Sequence, residues 1–458
     1  MDYAGKNVVV LGLGLTGLSL ARYLTRHGAH VKIADTRDVP PNAAALQDEF
    51  AGVTLESGPL AASTFAGADL IAISPGVPKD QPAIRDAVAH GVELAGDIEL
   101  FARAIPAQQK VLAITGTNGK TTPTALTGEL TRAAGLATIV AGNIGTAVLD
   151  ALTAIEAGAP WPDVFVLELS SYQLETTESL EPTAATVLNV TANHLDRYAG
   201  IADYASAKAR VFAGTGVQIL NRDDPIVRLM RQPRRTVQTF GAGVPHSEEE
   251  WGLVERPDGA WLARGGELLV PATSLALVGR HNAQNALAAL ALVSSSARIQ
   301  RPVLDALARF RSLPHRMERL TESGDVLFVD DSKATTVAAT EVALAGLGRP
   351  CVLIAGGDGK GQSFAALKPA VDQACRAVLL IGRDAPLLER ALAGSPAIVE
   401  NVGTLEAAVT RAFALARSGD AVLLSPACAS FDQFASYEAR GARFATLVLD
   451  HIGERLHA

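Results

Sequence analysis

One stretch constrains this chain more than any other: Val111-Leu-Ala-Ile-Thr-Gly-Thr-Asn-Gly-Lys-Thr-Thr122. Val111 to Ile114 is a short apolar run that reads as a buried strand. Thr115 to Gly119 breaks it, Lys120 and Thr121 follow, and Thr124 to Thr131 reads as a helix. Strand, glycine loop, Lys-Thr, helix is the order a phosphate-binding loop needs. Glycines let backbone N–H groups turn inward, and the helix start adds free N–H groups and a positive dipole end. Lys120 would reach the outer phosphates of a nucleotide and the Thr121 hydroxyl would meet a Mg²⁺ ion. Pro123 suits a first helical turn, where its missing N–H costs nothing. The general phosphate-loop pattern has four residues between its glycines, whereas Gly116 and Gly119 enclose only Thr117 and Asn118. A Gly-Asn turn before a helix with a surface lysine would give the same letters. The flanking strand and helix favour the phosphate loop.

A second glycine loop lies near the start. Asn7 to Leu11 reads as a strand, Gly12-Leu-Gly14-Leu-Thr-Gly17 follows, and Ser19 to Arg26 reads as a helix. Asp35 ends the next strand, Val31 to Ala34. This is the pattern of a dinucleotide-binding βαβ unit, but its chemistry is broader. A glycine turn presents N–H groups to any nucleoside diphosphate, and a group at the next strand end would meet ribose or base. Thr36 and Arg37 could serve a uracil or a phosphate. Asp69 to Ser74 is a further strand, with the turn Pro75 to Pro78 at its carboxyl end.

Ile105-Pro106 marks a boundary before the phosphate loop. Beyond it, Thr138 to Gly145 reads as a strand and a glycine loop that holds Asn143. Val164 to Leu167 reads as a buried strand ending in Glu168, where a carboxylate beside a phosphate loop would ligate Mg²⁺. Thr186 to Val190 is the next strand and leads to His194, a candidate metal ligand. Alone, Glu168 would more often cap a helix and His194 sit in a loop. Tyr204 to Arg210 reads as a helix carrying Lys208, and 241–266 as loops and short antiparallel strands. Ala286 to Ser294 reads as an apolar helix, with Asn282 and Asn285 on one face just before it. Leu313-Pro314 marks a second boundary. A third α/β segment follows, with strands at 325–330, 351–355, 377–381 and 421–425. Loops at 356–360 and 425–430 lie at their carboxyl ends, which suggests a cleft between domains.

With 458 residues, several domains are required. At 48% hydrophobic and 19% charged, the composition is that of a globular α/β protein. A net charge of −8 with no long basic run excludes a nucleic-acid surface. The arginines from Arg228 to Arg235 read as a solvated face. Cys351, Cys375 and Cys428 are far apart in sequence, form no metal pair, and suit a reducing cytoplasm. No apolar run reaches membrane-spanning length, and no signal peptide precedes Lys6.

Gly116 to Thr122, Glu168-Leu-Ser-Ser-Tyr-Gln173, His281-Asn282 with Asn285, His315-Arg316 and Asp331-Ser-Lys-Ala-Thr335 together resemble the Mur ligases, ATP-dependent amide ligases of peptidoglycan precursor synthesis. Gly12 to Gly17, Asp35 to Arg37, Asn189 to Thr191 and the block Ser425 to Phe434 extend the resemblance over the whole chain. It implies three domains: a Rossmann-like UDP-substrate domain at 1–98, a central P-loop ATPase-like domain with a mostly parallel sheet at 99–312, and a Rossmann-like amino-acid-binding domain at 313–458. The implied reaction joins D-glutamate to UDP-N-acetylmuramoyl-L-alanine. ATP converts the carboxylate to an acyl phosphate, and the amine displaces phosphate. A monomer with two Mg²⁺ ions is expected.

The resemblance also carries roles for residues. Gly14, Leu15, Thr16, Thr36, Arg37 and Ser74 would hold the UDP part, and Asn143 and Gln173 the muramoyl part. Gly116, Thr117, Asn118, Gly119, Lys120, Thr121 and Thr122, with Asn285, Arg316 and Asp331, would hold ATP. Thr121, Glu168, His194 and a carbamylated Lys208 would serve the metals. Lys333, Thr335, Lys360, Ser430, Phe431 and Tyr437 would form the D-glutamate pocket. Asn193 stands where an acidic residue commonly precedes the histidine, which would weaken its orientation. Thr336 replaces a frequent Asn, and Tyr437 a frequent Phe. Other ligases of this architecture, folate-directed ones included, and a nicotinamide-dependent dehydrogenase are the competing readings.

Overall fold

The computed structural model describes residues 3–50, 52–194, 197–277, 279–311 and 313–457. Ser312, at the expected second boundary, lies outside them. The chain divides into two compact units. The first comprises 1–254, 263–268 and 286–306, and the second 255–262, 269–285 and 307–458.

The first unit contains two parallel sheets. Strands β1 (Asn7–Leu11), β2 (His30–Asp35), β3 (Thr54–Ser57), β4 (Leu70–Ile73) and β5 (Glu93–Gly96) pair in the order β3-β2-β1-β4-β5. The order reverses beside β1, the crevice where open α/β sheets bind ligands. The second sheet uses β6 (Lys110–Thr115), β7 (Thr138–Gly142), β8 (Val164–Glu168), β9 (Ala184–Val187), β10 (Val217–Asn221), β11 (Val237–Phe240) and β12 (Glu250–Arg256). In this nine-stranded sheet these seven follow the order β12-β11-β10-β9-β6-β8-β7, with β6 and its phosphate loop inside it. In the region expected to hold loops and short antiparallel strands, β12 pairs in parallel with the preceding β11, Thr239 opposite Glu250. Short strands β13 (Gly259–Arg264) and β14 (Glu267–Pro271) follow. One apolar core runs through both sheets, from Val8, Val10 and Leu20 to Leu149, Phe165 and Leu167. The Phe101 and Phe165 rings meet edge to face at 5.0 Å within it.

In the second unit, β15 (Glu318–Ser323), β16 (Val326–Asp330), β17 (Cys351–Gly356), β18 (Cys375–Ile381), β19 (Ile398–Gly403) and β20 (Ala421–Leu424) pair in the order β15-β16-β20-β17-β18-β19. All pairs are parallel except β15 with β16. Alternating residues bury against cores on opposite faces, as full coverage by helices demands.

Several elements differ from expectation at their ends. The helix after the phosphate loop spans Thr121–Ala133, because the Lys120 carbonyl already accepts the Thr124 N–H at 3.1 Å. The Lys208 helix spans Ile201–Ala209, and Arg210 enters a short 3₁₀ turn. The Asn282 helix starts at Arg280, so both asparagines lie inside it. Strand β9 ends at Val187 rather than Val190, since Leu188 to Thr191 leave the sheet to bind the phosphate loop. Arg235 is no solvated charge: its guanidinium donates to the Phe212 and Gly216 carbonyls.

Candidate functional site

The phosphate loop is built as the sequence suggests and is held from one side. Thr117 N–H donates to the Asn189 carbonyl at 2.9 Å, Asn118 N–H to Asn189 Oδ1 at 2.9 Å, and Asn189 Nδ2 back to the Asn118 carbonyl at 3.1 Å. Thr191 N–H donates to Thr117 Oγ1 at 3.1 Å. Lys120 Nζ folds over the loop and donates to the Gly116 and Thr117 carbonyls at 3.0 and 3.1 Å.

Lys208 approaches the same loop from its helix. The side chain is 1% exposed, and Nζ donates to the Gly116 carbonyl at 2.8 Å. It lies 4.5 Å from the centre of the Tyr204 ring. Burial, with the Lys120 charge adding to it, pushes its amine down to about 6. Such an amine is neutral at pH 7 and nucleophilic toward carbon dioxide. The positive charge in this corner is then that of Lys120, and an anion beside it would be favoured. Glu168 supplies another open donor: Asn143 Nδ2 donates to Oε1 at 2.7 Å, whereas the buried Oε2 has no hydrogen-bond partner. Gly142 permits this approach of β7 to β8. Its φ is +105°, and a Cβ there would lie 2.3 Å from the Glu168 carbonyl oxygen. This donor chemistry, a carboxylate oxygen, a hydroxyl at Thr121 and an amine able to become a carbamate, fits Mg²⁺.

His194 is oriented by residues the sequence did not single out for that task. Its Nδ1 meets the Tyr172 hydroxyl at 2.6 Å, and Asn193 Oδ1 accepts the His194 N–H at 2.9 Å. Tyr172 in turn carries the Arg197 guanidinium 4.1 Å over its ring. Tyr172 thus holds the His194 ring from its Nδ1 side.

A cleft of about 710 Å³ opens at the carboxyl ends of the first sheet. Gly14, Leu15, Thr16, Thr36, Arg37, Ser74, Asn143 and Gln173 all line it, so the eight residues assigned to the UDP substrate are brought together. Leu15 is left 78% exposed at its rim. Gly17 must be glycine, because a Cβ would lie 1.8 Å from the Gly12 carbonyl oxygen. The buried Asp35 carboxylate accepts the Leu13 N–H at 2.7 Å and the Arg37 guanidinium at 2.6 and 2.8 Å. The Arg37 bonds, with the Leu13 N–H beside them, hold the carboxyl down at about 2. Asp35 therefore shapes the glycine loop and positions Arg37.

Gln173 closes a Ser170 capping box, and its Nε2 donates to Asp97 Oδ2 at 3.0 Å. Burial lifts the Asp97 carboxyl to about 6, with Gln173 and the helix-start N–H groups pulling the other way. The folded state thus holds a proton more tightly than the unfolded chain. Asp97 contributes stability below pH 4 that is lost as pH rises toward 6. Two pKa units amount to about 3 kcal/mol. Relative to wild type, Asp97→Asn should gain about that much between pH 4 and pH 7 in urea unfolding. A constant difference across that range would contradict the assignment.

In the second unit Lys333, Lys360 and Ser430 follow the carboxyl ends of β16, β17 and β20. Lys333 Nζ lies 3.8 Å over the Tyr437 ring, and Lys360 Nζ 5.6 Å over Phe431. Arg440, 1% exposed, ties two loops together. It donates to Ser332 Oγ at 3.0 Å and to the Ser332 and Cys428 carbonyls at 2.9 and 3.1 Å. Asn285 Nδ2 donates to Asn282 Oδ1 at 3.1 Å. Asp331 has internal work: it accepts the Met317 N–H at 3.1 Å and the Ser425 hydroxyl at 2.9 Å, which sets the turn bearing Arg316. Burial lifts its carboxyl to about 7. Among the described residues, His315, Glu318 and Asp330 bring three donor atoms within 4.8 Å. His315 Nδ1 is already paired with Asp330 at 2.7 Å, and the His315 N–H donates to Glu318 at 2.8 Å. That cluster is a braced turn.

No helix among the described residues is long and apolar enough to cross a membrane. Family comparison matches residues 6–96 to the Mur ligase MurD-like N-terminal domain, 114–293 to the Mur ligase middle domain, and 315–428 to the Mur ligase glutamate ligase domain. A UDP-N-acetylmuramoylalanine–D-glutamate ligase of Thiobacillus denitrificans is 51% identical over 463 residues, covering 98% of this chain and 97% of that one. The protein of the same description from Chromobacterium violaceum is 52% identical over 445 residues, covering 97% of each. Among solved structures, the UDP-N-acetylmuramate-alanine ligase of Thermotoga maritima matches 97% of this chain and 99% of its own, with a TM-score of 0.58 at 19% identity.

Proposed function

The chain belongs to the Mur ligase family, and from that membership we infer its reaction: it is an ATP-dependent amide ligase that adds D-glutamate to UDP-N-acetylmuramoyl-L-alanine, releasing ADP and phosphate. The observation that carries this reading furthest is the cleft in which all eight UDP-substrate residues meet, with Asn143 bridging from it to Glu168 beside the phosphate loop. The substrate carboxylate would lie near Asn143, and the phosphate loop would deliver the γ-phosphoryl group to it. The acyl phosphate that results is attacked by the D-glutamate amine. An acyl phosphate hydrolyses readily, so the site must exclude water until the amine arrives.

Lys120 and the N–H groups of Gly116 to Thr122 would hold the phosphates, with Asn285, Arg316 and Asp331 on the rest of ATP. Thr121 and Glu168 would hold one Mg²⁺, and His194 with a carbamylated Lys208 a second. When bound, the ions offset the repulsion between two anionic substrates and stabilise the phosphoryl transition state. Making a UDP-linked precursor at the expense of ATP suits a cytoplasmic enzyme. A monomer is the oligomeric state proposed with this reading. The direct test is the product. Mass spectrometry should find UDP-N-acetylmuramoyl-L-alanyl-D-glutamate when D-glutamate is supplied and none with L-glutamate. An equal yield from L-glutamate would overturn the amino-acid assignment.

Ser430 offers a sharper test of the D-glutamate pocket. Two substrate carboxylates call for several donors, and Lys333, Lys360, Thr335 and Ser430 are the ones proposed. A charge-assisted hydrogen bond is worth about 1.5–3 kcal/mol. Ser430→Ala should raise KM for D-glutamate by about ten-fold or more, with KM for ATP nearly unchanged. The melting temperature should hold, because the Ser430 carbonyl, not its hydroxyl, accepts the Gln433 and Phe434 N–H groups at 3.1 and 2.8 Å. An equal rise in both constants with a lowered melting temperature would make Ser430 structural only.

A further inference from the structure

Cys351 and Cys375 stand at the amino ends of β17 and β18, the opposite edge of the sheet from the ligand loops. They are register partners on neighbouring parallel strands. Register alone would not bring their sulfurs together. On β17 the residues Cys351, Leu353 and Ala355 face one core, while on β18 Val378 and Leu380 face that core and Ala377 and Leu379 the other. Strict alternation from Val378 would send residue 376 to the Cys351 face and Cys375 to the opposite one. The ladder instead shifts: Cys351 pairs with Cys375, but Val352 pairs with Ala377. Arg376 is the extra residue of this bulge, and its guanidinium turns to Asp420 at 2.7 and 2.9 Å. The bulge swings Cys375 onto the Cys351 face, where it packs against the same core. Re-aiming a side chain is what a bulge does.

The two side chains thus share one face of the sheet and one core. Both are free, Cys351 buried and Cys375 half-buried. Neighbouring parallel strands set Cα atoms about 4.8 Å apart, inside the range a disulfide spans. Cys375 also lines a cavity of about 530 Å³, bounded by Leu344, Arg349, Ala370 and Gln373, which gives a small reagent access to its sulfur.

We propose that Cys351 and Cys375 form an oxidisable dithiol that closes to a disulfide with a low-molecular-weight disulfide as oxidant. Cys375 Sγ loses its proton and attacks one sulfur of the oxidant. The S–S bond breaks, one thiol leaves carrying the proton, and a mixed disulfide remains on Cys375. Cys351 Sγ then attacks Cys375 Sγ, its proton passes to the second leaving thiol, and the protein disulfide forms. Two protein thiols are oxidised and one small disulfide is reduced to two thiols. The order follows from burial, which raises the Cys351 thiol and leaves the first attack to Cys375.

The full-length chain, freed of reductant, is incubated with glutathione disulfide and examined by intact mass and peptide mapping. The wild type should become lighter by two hydrogens, with a Cys351–Cys375 cross-link and Cys428 still free. Cys351→Ser should stop at a stable glutathione adduct on Cys375, and Cys375→Ser should take no adduct at Cys351. Circular dichroism and melting temperature establish that each variant is folded. Wild type that accumulates the glutathione adduct without the cross-link, or that stays fully reduced in excess oxidant, would overturn the proposal. Reversal by dithiothreitol with recovery of both thiols is the remaining expected result, and a failure to recover them would show irreversible oxidation instead.

Discussion

Lys120→Ala should abolish ligation while leaving the fold intact. The lysine ammonium is the mobile charge of the phosphate loop, and it now rests on the Gly116 and Thr117 carbonyls at 3.0 and 3.1 Å. Both are neutral acceptors that a nucleotide phosphate would replace with a charged one. Losing a single preorganised transition-state contact of this kind costs about 10²-fold or more in kcat. Stability should barely change, because the Asn189 and Thr191 bonds hold the loop without the lysine. The check is kcat together with a melting curve. Near-normal turnover would make Gly116 to Thr122 an ordinary turn, and lost activity with a collapsed melting temperature would make Lys120 structural.

Lys208→Ala should be equally inactive but rescuable. In the apo chain a buried amine sits beside Lys120 and donates to the Gly116 carbonyl at 2.8 Å. Its amine is pushed down to about 6, so most of it is uncharged at neutral pH and available to take up carbon dioxide. The carbamate would turn a neutral amine into an anionic group that can hold a metal ion. Alanine leaves a void about the length of a lysine chain, which a short carboxylic acid can enter. Activity should fall about 10²-fold or more and return in part with added carboxylate. Depleting bicarbonate should lower wild-type turnover and leave the variant unaffected. A fully active variant, or one deaf to carboxylate, would refute the carbamate.

The parts of the site legible in sequence are those whose chemistry is local. Gly116 to Thr122 announces itself because strand, turn and helix must be consecutive for the loop to exist. Gly12 to Gly17 is legible for the same reason, down to the glycine whose Cβ would strike the Gly12 carbonyl. Residues that act across distance were not legible in their roles. Asn189 could be matched to a motif, yet nothing in the letters shows its amide braced against Asn118. Tyr172 looks like a core aromatic until its hydroxyl is found on His194. Asp35 ends a strand where a carboxylate can face a nucleotide or its own loop, and its bonds to Arg37 and the Leu13 N–H show only in the fold. The cysteines were dismissed on spacing, and a one-residue bulge makes them neighbours. Among the strands, Glu318–Ser323 escaped notice because an edge strand needs no apolar face of its own.

The most direct test of the whole account is phosphate release from ATP by the purified chain, measured with each substrate alone and with both together. Ligation predicts sustained release only when UDP-N-acetylmuramoyl-L-alanine, D-glutamate and Mg²⁺ are all present, with one phosphate formed for each amide bond. Steady release without D-glutamate, or a nicotinamide absorbance change in place of release, would contradict it.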